Sequence, residues 1–312
     1  MLATGSPTSA FARGDPVLCS FVACGRCGAC GRGQPALCLA ANELNAGSLP
    51  ARYTLGAAAV RVGGSFFGQS SFARVAVVKE ASVVPAASLL RDSRSDDELK
   101  LFAPLGCGLM TGAGSIVNVA RLGEDDEVVI LGVGGVGLGA LMAAKASGVK
   151  TIIAVDRVEE RLELAKSLGA TAVIATGSFK DLGKEFPEAA KNFGREKDGV
   201  TCVIDTTGYV PLIHGAVPAV AIGGQLLIIA VPDGPAKLEE DLMTIMNRAL
   251  IIKGVRLGDA VPSKLIPKMV EWYRQGLFPL EKFSKFYEPE QINAAVDDML
   301  NGQTIKPILV WK

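Results

Sequence analysis

The sequence predicts an α/β protein in which a doubly wound parallel sheet is joined to a smaller, mostly β lobe. From Glu127 onward, short apolar runs alternate strictly with helical stretches, the order that builds a parallel sheet with helices on both faces. Up to about Pro104 the chain instead shows short β-rich runs between glycine-rich turns. The length, 312 residues, suits two domains at roughly 100–200 residues each.

In chain order, residues 1–13 read as an irregular lead-in interrupted by Pro7. Residues 15–22 and 73–78 are β-rich, with Gly63, Gly64 and Gly68 marking turns between them, so both are expected to be strands. Residues 128–131 (Val-Val-Ile-Leu) form an apolar run suited to a strand buried on both faces. A helix over 138–147 ends at Gly148, and 151–155 makes the next strand. The helix over 159–168 places Leu162, Leu164, Ala165 and Leu168 at helical spacing and stops at Gly169, a C-terminal signal. Residues 172–175, 201–204 and 225–231 read as further strands. From Leu257 the pattern is mixed: helices over 263–275 and 289–300, then a closing strand over 305–311. The expected organisation is a β lobe over 1–108, a nucleotide-binding (Rossmann) domain over 109–256, and a segment over 257–312 that returns to the first lobe.

Composition narrows the function. Lys and Arg total 32, as do Asp and Glu, so no global field draws the chain to nucleic acid or to a membrane surface. No run reaches the roughly 18 apolar residues of a spanning helix, and residues 216–231 are broken by Gly223-Gly224. The expected location is the cytoplasm.

Gly132-Val133-Gly134-Gly135-Val136-Gly137 follows a strong strand and opens a helix, the context this glycine pattern needs to hold a dinucleotide. The first glycine permits the tight turn, the second lets backbone approach a pyrophosphate, and the third lets helix and strand pack closely. The helix tip then offers unpaired N–H groups and partial positive charge to the phosphates. Asp156 ends the second strand about 20 residues on, where an acid accepts hydrogen bonds from ribose hydroxyls. It would repel the extra phosphate of NADP, although Arg157 offsets part of that repulsion. NAD is the expected cofactor.

Cys24, Cys27, Cys30 and Cys38 crowd into one loop with glycines at 25, 28, 31 and 33. Four thiolates at such spacing suit a closed, structural tetrahedral zinc site; a pair of disulfides and free thiols are the competing readings. Cys19 and Cys202 lie in apolar β-runs and are expected to be small core residues. His214, the one histidine, falls on a helix of the sheet domain and is expected to be a capping or partly buried residue.

Together, the four thiols, the 132–137 turn and Asp156 resemble the zinc-containing medium-chain alcohol dehydrogenase family. Ala103-Pro104-Leu105-Gly106-Cys107-Gly108, followed by Thr111-Gly112, is similar to the family passage that enters the cofactor domain. Residues 63–73 and the tail 305–309 are similar to aryl or benzyl alcohol dehydrogenases. The resemblance implies a partial GroES-like lobe and NAD held by Gly132, Gly134, Gly135, Gly137 and Asp156. It implies that Arg161 lies near the adenosine ribose, Lys306 near the pyrophosphate and Thr111 near the nicotinamide. Cys107 matches a ligand of the catalytic zinc. The family's other catalytic-zinc cysteine, its proton-relay hydroxyl and its Gly-His-Glu motif precede the point at which this chain begins. The implied shortening leaves sheet edges and apolar surface open, which favours aggregation.

The leading expectation is therefore hydride transfer between NAD and an alcohol or aldehyde, aromatic or from specialised metabolism, by a homodimer or homotetramer. One alternative is a catalytically impaired NAD-binding or interaction protein without the catalytic zinc. Another is a zinc-independent quinone or enone reductase, against which the four-cysteine loop speaks.

Overall fold

The computed structural model describes residues 1–5, 11–46, 53–56, 59–62, 66–69, 72–91, 96–195 and 197–311. Gly63, Gly64 and part of the lead-in lie outside them. The chain divides into two compact units, one of residues 1–107, 260–271 and 280–312, the other of residues 108–259 and 272–279.

The first unit opens with β1 (Val17–Cys19), the short helices α1 (Gly28–Gly31) and α2 (Ala41–Asn45), and strands β2 (Tyr53–Leu55), β3 (Val60–Val62) and β4 (Val83–Pro85). β1 pairs antiparallel with β4, Leu18 opposite Val84, and β2 pairs antiparallel with β3. The loop between β1 and α2 is tied at its ends by Asn45. Its side-chain oxygen accepts from the Val22 N–H, and its amide donates to the carbonyls of Val22 and Ala41, all at 2.8 Å. Helix α3 (Asp96–Phe102) buries Leu101 and Phe102.

Residues 73–78 are not a strand, which corrects the sequence expectation. Val75 and Val77 stand 62% and 72% exposed, and no neighbour pairs with this run among the described residues. Alternating apolar residues supply only a face, whereas a strand also needs a hydrogen-bonded partner to satisfy its backbone. For the same reason the run at 15–22 is a strand only at the three residues that face β4.

The second unit begins with α4 (Gly108–Gly114), which continues as a π-helical stretch over Ser115–Ala120. The strands β5 (Glu127–Leu131), β6 (Thr151–Asp156), β7 (Ala172–Ala175), β8 (Val200–Asp205), β9 (Val220–Ile228) and β10 (Ile251–Gly254) alternate with α5 (Gly135–Ala146), α6 (Glu159–Leu168), α7 (Leu182–Lys191), α8 (Val210–Ala219) and α9 (Leu242–Asn247). All six strands are parallel, in the order β10-β9-β8-β5-β6-β7. This is the doubly wound arrangement, whose order reverses between β5 and β8 and opens a crevice at their carboxyl ends. Every residue of β5 is buried, as its unbroken apolar run requires. Toward one face Val129, Leu131, Ile153, Val155 and Val203 join Phe186 and Val217 in a continuous core.

The sequence reading did not name β10. It is a four-residue edge strand, mostly exposed, so it carries neither the length nor the burial pattern of its neighbours; Leu250-Ile251-Ile252 was its only signal. The chain closes with α10 (Pro262–Arg274), β11 (Ser284–Tyr287), α11 (Ile292–Leu300) and β12 (Lys306–Leu309). β11 and β12 pair in parallel. No single helix among the described residues is long and apolar enough to cross a membrane.

Candidate dinucleotide site and metal centre

At the end of β5 the chain turns through Gly132, whose φ of 82° lies in the left-handed region that other residues enter only with strain. The turn is pinned by the Gly132 N–H donating to the Val155 carbonyl at 2.8 Å. A Cβ at Gly137 would collide with the carbonyl oxygen of Gly132, so helix α5 approaches the turn as closely as hydrogen allows. Gly134 is the N-cap of α5, and the helix start faces a cavity of about 680 Å³ lined by Gly132, Gly134, Gly135, Asp156, Arg161 and Tyr209 among others. That size lies within the usual range of small-molecule sites, roughly 300–1,000 Å³.

Asp156 is buried to 8% exposure. Its Oδ2 accepts from the Val133 N–H at 3.0 Å, and its Oδ1 accepts from the N–H groups of Arg157 and Val158 at 2.8 and 3.0 Å. The carboxylate is thus fixed by backbone after both β5 and β6, and Oδ2 keeps a lone pair for a further donor. Arg161 lines the same cavity, and its buried Nε has no hydrogen-bond partner. A buried orphan donor costs free energy unless something accepts from it. A glycine turn at a helix tip, an oriented carboxylate and an unanswered guanidinium nitrogen fit the phosphates and ribose of a dinucleotide.

Sequence reasoning missed the third wall. Asp205, completely buried, accepts from the Thr207 N–H (3.0 Å), the Thr207 hydroxyl (2.6 Å) and the Gly208 N–H (3.1 Å). The Thr206 hydroxyl lies 2.8 Å from the carbonyls of both Leu131 and Gly132. This turn therefore braces the glycine turn from the β8 side. The signal was the dipeptide chemistry of Asp205-Thr206-Thr207-Gly208, an Asx-type turn after an apolar strand.

The remaining candidates fall elsewhere. Cys107, exposed, and Lys306, on β12, line a separate cavity of about 650 Å³ within the first unit. Thr111 is buried in α4, where its carbonyl accepts from the Ser115 hydroxyl; it lies in neither cavity lining. The geometry gathers the four glycine-turn residues, or their close neighbours, with Asp156 and Arg161, and separately Cys107 with Lys306.

The four loop cysteines do converge: all four Sγ atoms lie within 4.8 Å of one another. Tetrahedral zinc with bonds of about 2.3 Å sets sulfur separations of about 3.8 Å. Cys27 and Cys30 stand 3.5 Å apart and Cys24 and Cys30 3.9 Å. Backbone amides supply the second layer. The N–H groups of Cys30 and Leu39 pull the Cys27 thiol well below its ordinary range, and those of Arg26 and Cys27 lower Cys24. Burial and then the Cys27 thiol push Cys30 up. The Cys24 N–H also donates to the Cys38 sulfur at 3.3 Å. The donor set fits a structural zinc with no open position for substrate.

No comparable set surrounds Cys107. Among the described residues the loop cluster is the one group of three or more metal-type side chains. His214 is exposed on α8 in the other unit, with its Nε2 2.9 Å from the Lys237 carbonyl oxygen; of the capping and partly buried roles expected for it, the second does not hold. The described residues do not fit a catalytic zinc. Cys202 is fully buried and Cys19 half-buried, and burial raises both thiols.

The family model for the zinc-binding dehydrogenase domain matches residues 135–275, and that for the alcohol dehydrogenase GroES-like domain matches residues 1–88. Geraniol dehydrogenase of Castellaniella defragrans is 33% identical over 312 residues, 99% of this chain and 80% of that protein. The alcohol dehydrogenase zinc-binding domain protein of Burkholderia ambifaria superposes with a TM-score of 0.87 at 34% identity, covering 97% of this chain and 79% of its own. Benzyl alcohol dehydrogenase of Acinetobacter calcoaceticus gives 0.85 at 34% identity, covering 98% and 80%.

Proposed function

This chain belongs to the zinc-binding medium-chain alcohol dehydrogenase family, and from that premise we propose that it moves hydride between NAD and a bulky apolar primary alcohol or its aldehyde. The observation that carries the cofactor is the convergence of the Gly132 turn, the backbone-fixed Asp156 and the orphan Arg161 Nε on one cavity. Bound NAD supplies the hydride acceptor at its nicotinamide ring. The chain's own residues do the holding: the N–H groups at the start of α5 take the pyrophosphate, Asp156 takes the ribose hydroxyls, and Arg161 adds a donor on the adenosine side. Cys24, Cys27, Cys30 and Cys38 would hold the zinc that braces the loop following β1. The substrate class rests on relatives named for geraniol and benzyl alcohol. By family likeness, the chain assembles as a homodimer or homotetramer.

A second reading is a dinucleotide-binding protein of impaired catalysis. It is favoured by Cys107 belonging to no group of three or more metal-type side chains among the described residues, where a catalytic zinc takes three protein ligands. One experiment separates the two. The purified 312-residue chain, saturated with NAD, is followed at 340 nm with geraniol, benzyl alcohol and their short-chain counterparts. Turnover of the bulky alcohols is the expected result. NADH binding with no turnover of any alcohol or aldehyde leaves the second reading.

A further inference from the structure

We propose that Tyr209 is the stacking wall for the adenine of the bound dinucleotide, and so a residue that sets how tightly the base is held; this rests on the NAD reading above. With phosphates at the Gly132 turn and ribose on Asp156, the rest of the lining is open to the base, including Thr176, Gly177, Leu182, Tyr209 and Leu212. A purine offers two flat apolar faces. Leu182 and Leu212 supply aliphatic surface for one. Tyr209 is the one aromatic ring among the described residues of this lining, and at 53% exposure it keeps a large ring open to solvent at the mouth of the cavity. A base laid against the ring would cover part of that face.

The backbone that carries the ring is fixed by its own hydrogen bonds. The Tyr209 N–H donates to the Thr207 hydroxyl oxygen at 3.0 Å, and that hydroxyl is in turn fixed on the buried Asp205 carboxylate. The Tyr209 carbonyl accepts from the N–H groups of Leu212 and Ile213 as the N-cap of α8. The ring is therefore presented from a hydrogen-bonded turn, so the backbone beneath it needs no ordering on binding. Aromatic stacking on a base is worth roughly 1–3 kcal/mol by alanine substitution, which corresponds to a change on the order of tenfold in affinity.

The test compares Tyr209→Ala and Tyr209→Phe with the unaltered chain, using calorimetry with three probes: NADH, AMP, which keeps only the adenosine end, and reduced nicotinamide mononucleotide, which lacks it. Tyr209→Ala should weaken NADH and AMP by the same factor, roughly tenfold, and leave the mononucleotide unchanged. Tyr209→Phe should stay within about twofold of the parent for all three, since the face and not the hydroxyl is used. Unaltered NADH and AMP affinity in Tyr209→Ala overturns the assignment, as does an equal loss for the mononucleotide. If the unaltered chain binds AMP and NADH, the cofactor reading survives either outcome; if it binds neither, both fall.

Discussion

At the scale of single residues, the glycine turn separates packing from ligand approach. A methyl group at Gly137 meets the Gly132 carbonyl oxygen, whereas one at Gly134 meets nothing within 4 Å. Gly134 also has an ordinary negative φ of −77°, so alanine is tolerated there by the backbone. Gly137→Ala should therefore lower stability, by roughly 1–3 kcal/mol from overpacking between α5 and β5, as read by urea denaturation. Gly134→Ala should leave the urea midpoint in place and weaken NADH on the order of tenfold, because its methyl group stands where the pyrophosphate approaches. Equal behaviour of the two variants in both measurements contradicts this division. Gly132 and Asp156 were legible from spacing alone, because a left-handed turn and a strand-end acid each permit few residue types. Thr206 and Thr207 were not, since a hydroxyl that bridges carbonyls of another strand is specified by three-dimensional adjacency.

At the scale of elements, β11 and α11 are clipped together by one carboxylate. Asp298 on α11 accepts from Lys285 Nζ at 2.7 Å and from the Tyr287 hydroxyl at 2.6 Å, both on β11. These two donors, Lys285 first, hold the Asp298 carboxyl below its ordinary range. A carboxyl depressed on folding stabilises the fold above its unfolded pKa, about 3.9, and loses that contribution as pH falls through the lower folded value. Asp298→Asn should thus melt below the parent at pH 7. The gap should hold down to about pH 4 and close under more acid conditions. A gap that stays constant to the acid limit contradicts the clip. Elements of this kind divided sharply in legibility. Strands such as β5 and β6, buried on both faces, announced themselves as unbroken apolar runs. β1 and β4 are three residues each and meet across more than sixty residues of chain, so their partnership left no local trace. The alternating run at 73–78 had the pattern of a strand and lacked the neighbour.

At the scale of the whole molecule, the inventory of metal-binding side chains decides how much zinc the chain can hold. It has seven cysteines and one histidine. Four thiols form the loop cluster, and Cys202 is sealed in β8. A catalytic zinc takes three protein ligands and an open position, and the described residues assemble no second group of three. The loop, by contrast, has little else to fold around. Its helix α1 has four residues, and Ala29, Ala36 and Cys38 are its buried apolar groups between Cys24 and Cys38. In so small a segment metal binding supplies folding free energy directly. Elemental analysis of the purified 312-residue chain should therefore give one zinc per chain. Cys27→Ser should fall below that and lose stability on the order of several kcal/mol, while Cys107→Ser should keep both the zinc and the thermal midpoint. Two zinc ions per chain, the second lost in Cys107→Ser, would show that a catalytic centre assembles after all and would overturn this count.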